Sequence, residues 1–99
     1  MASLYISEYD SLALDQKGEP VLAGYEPSLN TQKVTFSTSA ASNALDGRTR
    51  YVRVVADAAC HISFGASPTA TTNDLPLQAN SPEYFGIKGG SIKIAAVAQ

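Results

Sequence analysis

The chain has 99 residues, a formal net charge of −2 and one cysteine. This length fits a single domain, because domains typically contain about 50 to 250 residues. The slight negative charge offers no basic field for nucleic acid, and one cysteine excludes an intrachain disulfide and a multi-cysteine zinc site. No apolar run approaches the roughly 18 residues of a membrane span, and the start, MASLYISEYD, lacks the features of a signal peptide. We therefore expect no cofactor, no nucleic acid and no membrane among its partners.

Charged residues make up 16% of the chain, below the roughly 25% of ordinary soluble domains. Ser, Thr and Ala are frequent instead, especially in 35–44 and 66–73. This composition favours extended segments that lie on another surface and is less typical of a freely diffusing monomer.

Residues 1–30 predict an N-terminal arm or edge hairpin. Leu4 and Ile6 alternate with polar residues, and a similar alternation precedes a Lys-Gly-Glu-Pro turn at 17–20. We expect this segment to cover one face of a sheet or to reach a neighbouring chain.

Residues 31–99 predict the core of the domain. Val34 and Phe36 alternate with polar residues in 32–39, a pattern typical of a strand. Further strands are predicted at 75–77, 83–87 and 92–97, and Pro76 places the first of these at a sheet edge. Six to eight short strands without a long helix predict an all-β fold, either a jelly-roll-like β-sandwich or a small barrel.

The stretch from Arg50 to Phe64, RYVRVVADAACHISF, predicts two strands that meet at a turn of small residues. Alternation puts two sets of side chains on opposite sides of the first strand: Val52, Val54 and Ala56 on one, Tyr51, Arg53 and Val55 on the other. Apolar side chains therefore lie on both sides, and we expect both faces to be covered. In the second strand, Cys60, Ile62 and Phe64 share one side.

No group of residues predicts catalysis. Cys60 and His61 are adjacent in a strand and point to opposite faces, so they cannot form a thiol–imidazole pair. The single histidine excludes a multi-histidine metal site, and no calcium-loop or phosphate-binding glycine motif is present. We expect no enzyme activity; a hydrolase with two carboxylates that converge in the fold is the alternative.

Five tyrosines could line a surface that binds sugar or peptide, because their rings are apolar and their hydroxyls polar. A sugar-binding module would use one of the exposed tyrosines, such as Tyr25 or Tyr84. Tyrosines also occur routinely in strands, so contact with another protein is the favoured interpretation.

From Lys33 to Val97 the chain resembles the small structural proteins encoded among the virion genes of tailed bacteriophages. The resemblance rests on short words: VTFSTSAAS at 34–42, RYVRVVADAACHISFG at 50–65, PTATT at 68–72, Leu77, PEYFGI at 82–87 and GGSIKIA at 89–95. It implies a capsid decoration (cement) protein, or a head–tail or tail accessory protein. It carries no catalytic residues.

The resemblance also implies location in the virion, after assembly in the host cytoplasm, with the major capsid protein or another virion protein as partner. Closed symmetry favours a homo-oligomer, a dimer or a trimer. The alternation of side chains between the two faces of each strand predicts an interface on one set of residues: Tyr51, Arg53, Val55, Lys93, Val97, Leu4 and Ile6. A carbohydrate- or cell-surface-binding β module is the alternative function.

Overall fold

The computed structural model describes residues 2–14, 16–24, 26–88 and 91–98, and all regular structure in these ranges is β-strand. The strands are β1 (Ala2–Tyr9), β2 (Leu12–Leu14), β3 (Pro20–Gly24), β4 (Asn30–Phe36), β5 (Ala40–Ala41), β6 (Tyr51–Ala56), β7 (Cys60–Gly65), β8 (Leu75–Leu77), β9 (Glu83–Gly86) and β10 (Lys93–Ala98). Within the same ranges, no helix is long and apolar enough to cross a membrane.

Eight of these strands form two four-stranded sheets. Sheet 1 has the order β4-β1-β6-β9, and sheet 2 has the order β5-β10-β7-β8. The strands within each sheet pair antiparallel, and the two sheets pack face to face. β2 and β3 form a separate two-stranded hairpin. The predicted all-β sandwich is confirmed.

The core lies between the sheets and is made from alternate residues of each strand. Val52, Val54 and Ala56 of β6 are fully buried there, and Cys60 and Ile62 of β7 face them from the other sheet. Each fully buried Val, Leu or Ile contributes about 1.5 to 3 kcal/mol of hydrophobic stabilisation. The sides predicted from alternation in this stretch are therefore confirmed.

The two central strands belong to different sheets. β6 lies inside sheet 1 and β7 inside sheet 2, so residues 57–59 carry the chain across the edge of the sandwich. This corner is fixed to β1 by two hydrogen bonds: the Ser3 N–H donates to Asp57 Oδ1 at 2.7 Å, and the Asp57 N–H donates to the Ser3 carbonyl at 3.1 Å. The turn of small residues is a connection between sheets.

The predicted N-terminal arm requires a correction. β1 lies between β4 and β6 in sheet 1, so Ala2–Tyr9 is an interior strand with hydrogen-bonded neighbours on both sides. It also joins the two predicted parts, because β1 pairs with β4 beyond residue 30. Residues 12–24 do form a hairpin, and its turn uses Gly18 at φ 81°, a conformation that glycine adopts without steric cost.

Candidate functional site: the outer face of sheet 1

Because Leu4, Ile6 and Val54 point into the core, the residues between them point away from it. The register places Tyr5 opposite Lys33 on one side and opposite Val55 on the other. The next row along β1 joins four outward residues: Thr31, Ser7, Arg53 and Tyr84. The outer face of sheet 1 is therefore a surface of tyrosine, hydroxyl and cationic side chains.

One end of this face is covered by the end of the β2–β3 hairpin. Tyr9 points outward from β1, yet only 3% of it is exposed. Gly24 lies so close to the Tyr9 ring that a Cβ atom at this position would overlap it. The Gly24 N–H also donates to the Tyr84 hydroxyl at 3.3 Å, and the rings of Tyr9 and Tyr84 are 6.5 Å apart. We name Tyr9, Tyr84 and Gly24 the tyrosine clamp.

The clamp changes the acidity of Tyr9. Its burial raises the pKa of the phenol above the ordinary value of 10.0, and the hydrogen bond to Glu26 and the charge of that carboxylate raise it further. The Tyr9 hydroxyl donates to Glu26 Oε2 at 2.7 Å, so the neutral phenol is the form that fits the site.

The other end of the face is open. Tyr5 is 43% exposed, and Lys33 Nζ lies over its ring, 5.7 Å from the centroid. This separation permits a cation–π contact. Val55 and Arg53 are half-buried beside them. We name Tyr5, Lys33, Arg53 and Val55 the open patch.

The open patch carries positive charge. Lys33 and Arg53 are the two charged residues at the outward positions of the described strands of sheet 1, and no carboxylate occupies such a position. Asp57 lies at the margin, just after β6, where it accepts the hydrogen bond from Ser3. The patch is therefore suited to an acidic partner, although the whole chain has a net charge of −2.

The residues predicted to form one interface lie in three places: the outer face of sheet 1, the outer face of sheet 2 and the core between the sheets. Tyr51, Arg53 and Val55 lie on the outer face of sheet 1, where Tyr51 is in the row of Tyr9, at the covered end. Lys93 and Val97 alternate with the core residue Ile94, so they lie on the outer face of sheet 2.

Two corrections follow from this placement. The two outer faces point in opposite directions, so Tyr51 and Val97 cannot contact one flat partner surface. Leu4 and Ile6 are core residues, because β1 is an interior strand whose inner row packs against sheet 2, and they are not available to a partner.

A buried carboxylate was missed by sequence reasoning. Glu8 is fully buried, and four groups donate to it: the Asp46 N–H at 2.7 Å, and the Thr49 hydroxyl, Asn30 Nδ2 and Gln32 Nε2 at 3.0 Å each. Its inward position was visible in the sequence, since it follows Leu4 and Ile6 at intervals of two. All four donors occupy the carboxylate, so Glu8 holds the 46–49 turn against the sheet and meets no substrate.

The described side chains bring no reactive group together. Cys60 faces the core and His61 faces outward, and burial raises the pKa of the Cys60 thiol. Among residues 2–14, 16–24, 26–88 and 91–98, no group of three or more His, Cys, Asp or Glu could hold a metal ion. The Cys–His geometry expected from alternation is the one observed.

The predicted sugar-binding tyrosines receive little support. Tyr25 lies outside the described residues, and Tyr84 is half-buried with its hydroxyl occupied by Gly24. A depression of about 210 Å³ is lined by Gly47, Thr49, Arg50 and Ile87. Its volume is below the roughly 300 to 1,000 Å³ of ordinary small-molecule sites. The open patch remains the best candidate for a binding surface.

No family model, curated protein or solved structure matches the chain. A function must therefore be assigned from the chain's own residues. The open patch on sheet 1 and the half-buried residues Lys93 and Val97 on sheet 2 are the surfaces that bear on it.

Proposed function

We propose that the protein is a structural component of a tailed-phage virion and that it decorates the head as a cement protein. The observation that supports a contact role is the open patch, an antiparallel face that exposes Tyr5 beside Val55, Lys33 and Arg53. Tyrosine and arginine are enriched at protein interfaces, where they supply much of the binding energy. The virion context comes from the resemblance of short segments between residues 33 and 97 to phage structural proteins.

The sandwich offers two contact surfaces on opposite sides. The open patch lies on sheet 1, whereas Lys93 and Val97 lie half-buried on the outer face of sheet 2. A cement protein must contact more than one neighbour in the shell, and opposite faces allow two contacts at the same time. Contacts that are weak individually then act together, because the first raises the effective concentration for the second.

This function needs no cofactor and no catalytic residue. It requires a rigid scaffold that holds outward side chains in place, which an interior strand such as β1 provides. The partner we propose is the major capsid protein, or another virion protein, and its contacting surface should be acidic where it meets Lys33 and Arg53.

Co-sedimentation with purified heads that lack the protein tests the proposal. We expect the native protein to sediment with the heads, and the variant Tyr5→Ser with Val55→Ser to bind at least tenfold more weakly, which corresponds to about 1.4 kcal/mol. Leu75→Ser is the control, because Leu75 is also 43% exposed but pairs with the core residue Ile62 in sheet 2, so it lies on neither outer face.

Three outcomes decide the assignment. Loss of head binding in the patch variant alone supports the cement role. Binding to isolated necks or tails but not to heads would instead support the role of a head–tail or tail accessory protein. Failure of the native protein to bind any of these particles would overturn the proposal.

A further inference from the structure

We propose that the open patch binds the β2–β3 hairpin of a second copy of this chain. This contact uses the patch that the proposed function gives to the capsid protein, so it applies to the free protein in solution, and it requires no protein other than this one. Three features carry the inference: the hairpin has an exposed tip and lies outside the two sheets, its net charge is opposite to that of the patch, and the patch is left uncovered by the chain's own hairpin.

The hairpin is separate from the two sheets of the sandwich. β2 starts three residues after the end of β1, and β2 and β3 form a sheet of their own. Its Gly24 end is held in the tyrosine clamp, while residues 16–19 at the tip are exposed.

The hairpin also carries an exposed apolar side chain. Leu14 is 56% exposed, more than Tyr5 or Leu75, the other large apolar residues found at the surface in the described ranges. An isolated two-stranded hairpin is marginally stable in water. A partner surface that covers Leu14 would bury apolar area and stabilise the hairpin in one step.

Charge identifies the partner surface. Residues 12–24 contain two carboxylates and one lysine, a net charge of −1, and Asp10 lies exposed just before them. The open patch contains Lys33 and Arg53 and no carboxylate, and it adds the apolar surface of Tyr5 and Val55. The hairpin and the patch therefore complement each other in sign, and each offers an exposed apolar group to the other.

The contact must come from a second molecule. The chain's own hairpin is fixed at Tyr9, which lies four residues, or about 13 Å, along β1 from Tyr5. Tyr5 is still 43% exposed in the single chain, so that hairpin does not cover the patch. Direct packing of two patches is disfavoured, because it would bring Lys33 and Arg53 of one copy against the same cations of the other.

A contact between two different surfaces can produce a closed assembly in two ways. Two copies can exchange hairpins around a twofold axis, so that each patch receives the hairpin of the other. Three copies can also close a ring in which each hairpin reaches the next patch. Both arrangements use the same hairpin–patch contact, and the mass of the assembly distinguishes them.

Two charge-reversal variants of the purified protein test the inference. The patch variant carries Lys33→Glu with Arg53→Glu, and the hairpin variant carries Asp10→Lys with Glu19→Lys. We expect sedimentation velocity to give an oligomer for the native protein and at least tenfold weaker association for each variant alone. An equimolar mixture of the two variants should associate again in pairs, because every contact between unlike copies joins either two reversed surfaces or two native ones.

Two further measurements keep the test independent of folding defects. Circular dichroism should be unchanged and unfolding should stay cooperative in the variants, since Lys33, Asp10 and Glu19 are exposed and the half-buried Arg53 points away from the core. Leu14→Ser retains every charge and should also weaken association, by severalfold. Raising the salt concentration should weaken the native oligomer, because exposed charge pairs are screened.

The inference is overturned if the native protein stays a monomer at high micromolar concentration, or if both charge variants associate like the native protein. It is also overturned if the mixture of well-folded variants remains monomeric. A monomer that still sediments with phage heads would leave the proposed cement role intact and would assign the patch to the capsid protein instead.

Discussion

The Glu8 carboxylate accepts a 3.0 Å hydrogen bond from the Thr49 hydroxyl in the interior of the protein, although 41 positions separate the two residues. Its other donors are two side-chain amides from β4 and the backbone N–H of Asp46. Glu8 thus connects an interior strand, an edge strand and the 46–49 turn. A buried carboxylate is tolerated only when donors replace the lost water, and here all of them are supplied by neutral groups.

Glu8→Gln should destabilise the fold by about 2 to 4 kcal/mol, because an amide nitrogen would face donors that need an acceptor. The measurement is the free energy of unfolding from urea titration. Glu83→Gln is the matched control: Glu83 is exposed on β9, so its change should stay within about 0.5 kcal/mol.

Thr49→Val extends this prediction to the hydrogen bond between Thr49 and Glu8. It removes one donor and should cost about 1 to 2 kcal/mol. The double variant should cost less than the sum of the single variants, since both disrupt one hydrogen bond. Strict additivity, or a Glu8→Gln protein as stable as the native one, would contradict a shared buried network.

Alternation in the sequence predicted which side chains share a face, because that property is local. It correctly grouped Val52 with Val54 and Cys60 with Ile62, and Pro76 correctly marked an edge strand, since β8 ends sheet 2. Alternation does not tell which strands pair. The interior position of β1 and the assignment of β6 and β7 to different sheets depend on contacts between distant residues, which no local pattern encodes.

The same limit applies to the candidate site. Arg53 and Val55 were predicted to be outward, and they are, but their neighbours Tyr5 and Lys33 come from β1 and β4. Their convergence depends on the register between three strands. The sequence predicts an N-terminal arm or edge hairpin around Tyr5, so the open patch could not be assembled from sequence. The burial of Tyr9 by Gly24 also had no local signal.

Gly24→Ala should loosen the hairpin from sheet 1, because the new Cβ would overlap the Tyr9 ring. We expect a loss of about 1 to 3 kcal/mol, typical of overpacking, and faster proteolysis within residues 12–24. Gly47→Ala is the control, since a Cβ at Gly47 meets nothing within 4 Å. In a Tyr9→Ala background, Gly24→Ala should lower the free energy of unfolding only slightly. A loss as large as in the native background would show that the new Cβ does not overlap the Tyr9 ring.

Tyr9 should ionise above its ordinary pKa of 10.0, because burial first, and then Glu26, disfavour the phenolate. The difference in phenolate absorbance between the native protein and Tyr9→Phe isolates this titration. Since the folded-state pKa is raised, the stability contributed by the phenol is fully present below pH 10 and is lost as the pH rises through the folded-state value.

Glu26→Gln separates the two causes of the Tyr9 shift. It removes the charge beside the phenol, so the titration midpoint should move down towards the ordinary value without reaching it, because burial is the larger cause. A native midpoint at or below 10.0 would contradict the covered position of Tyr9.

Cys60 should react with a thiol reagent only when the sandwich opens. The side chain is fully buried in the core between the sheets, and burial raises the pKa of its thiol, so both access and thiolate content are low in the folded protein. Labelling with a disulfide reagent at mildly alkaline pH should therefore be slow in buffer and complete within seconds in concentrated guanidinium. Gly24→Ala serves as a comparison, because it loosens the hairpin outside sheet 1 and should accelerate labelling only as far as it lowers global stability. Immediate labelling of the native protein would show that β7 does not direct Cys60 into the core.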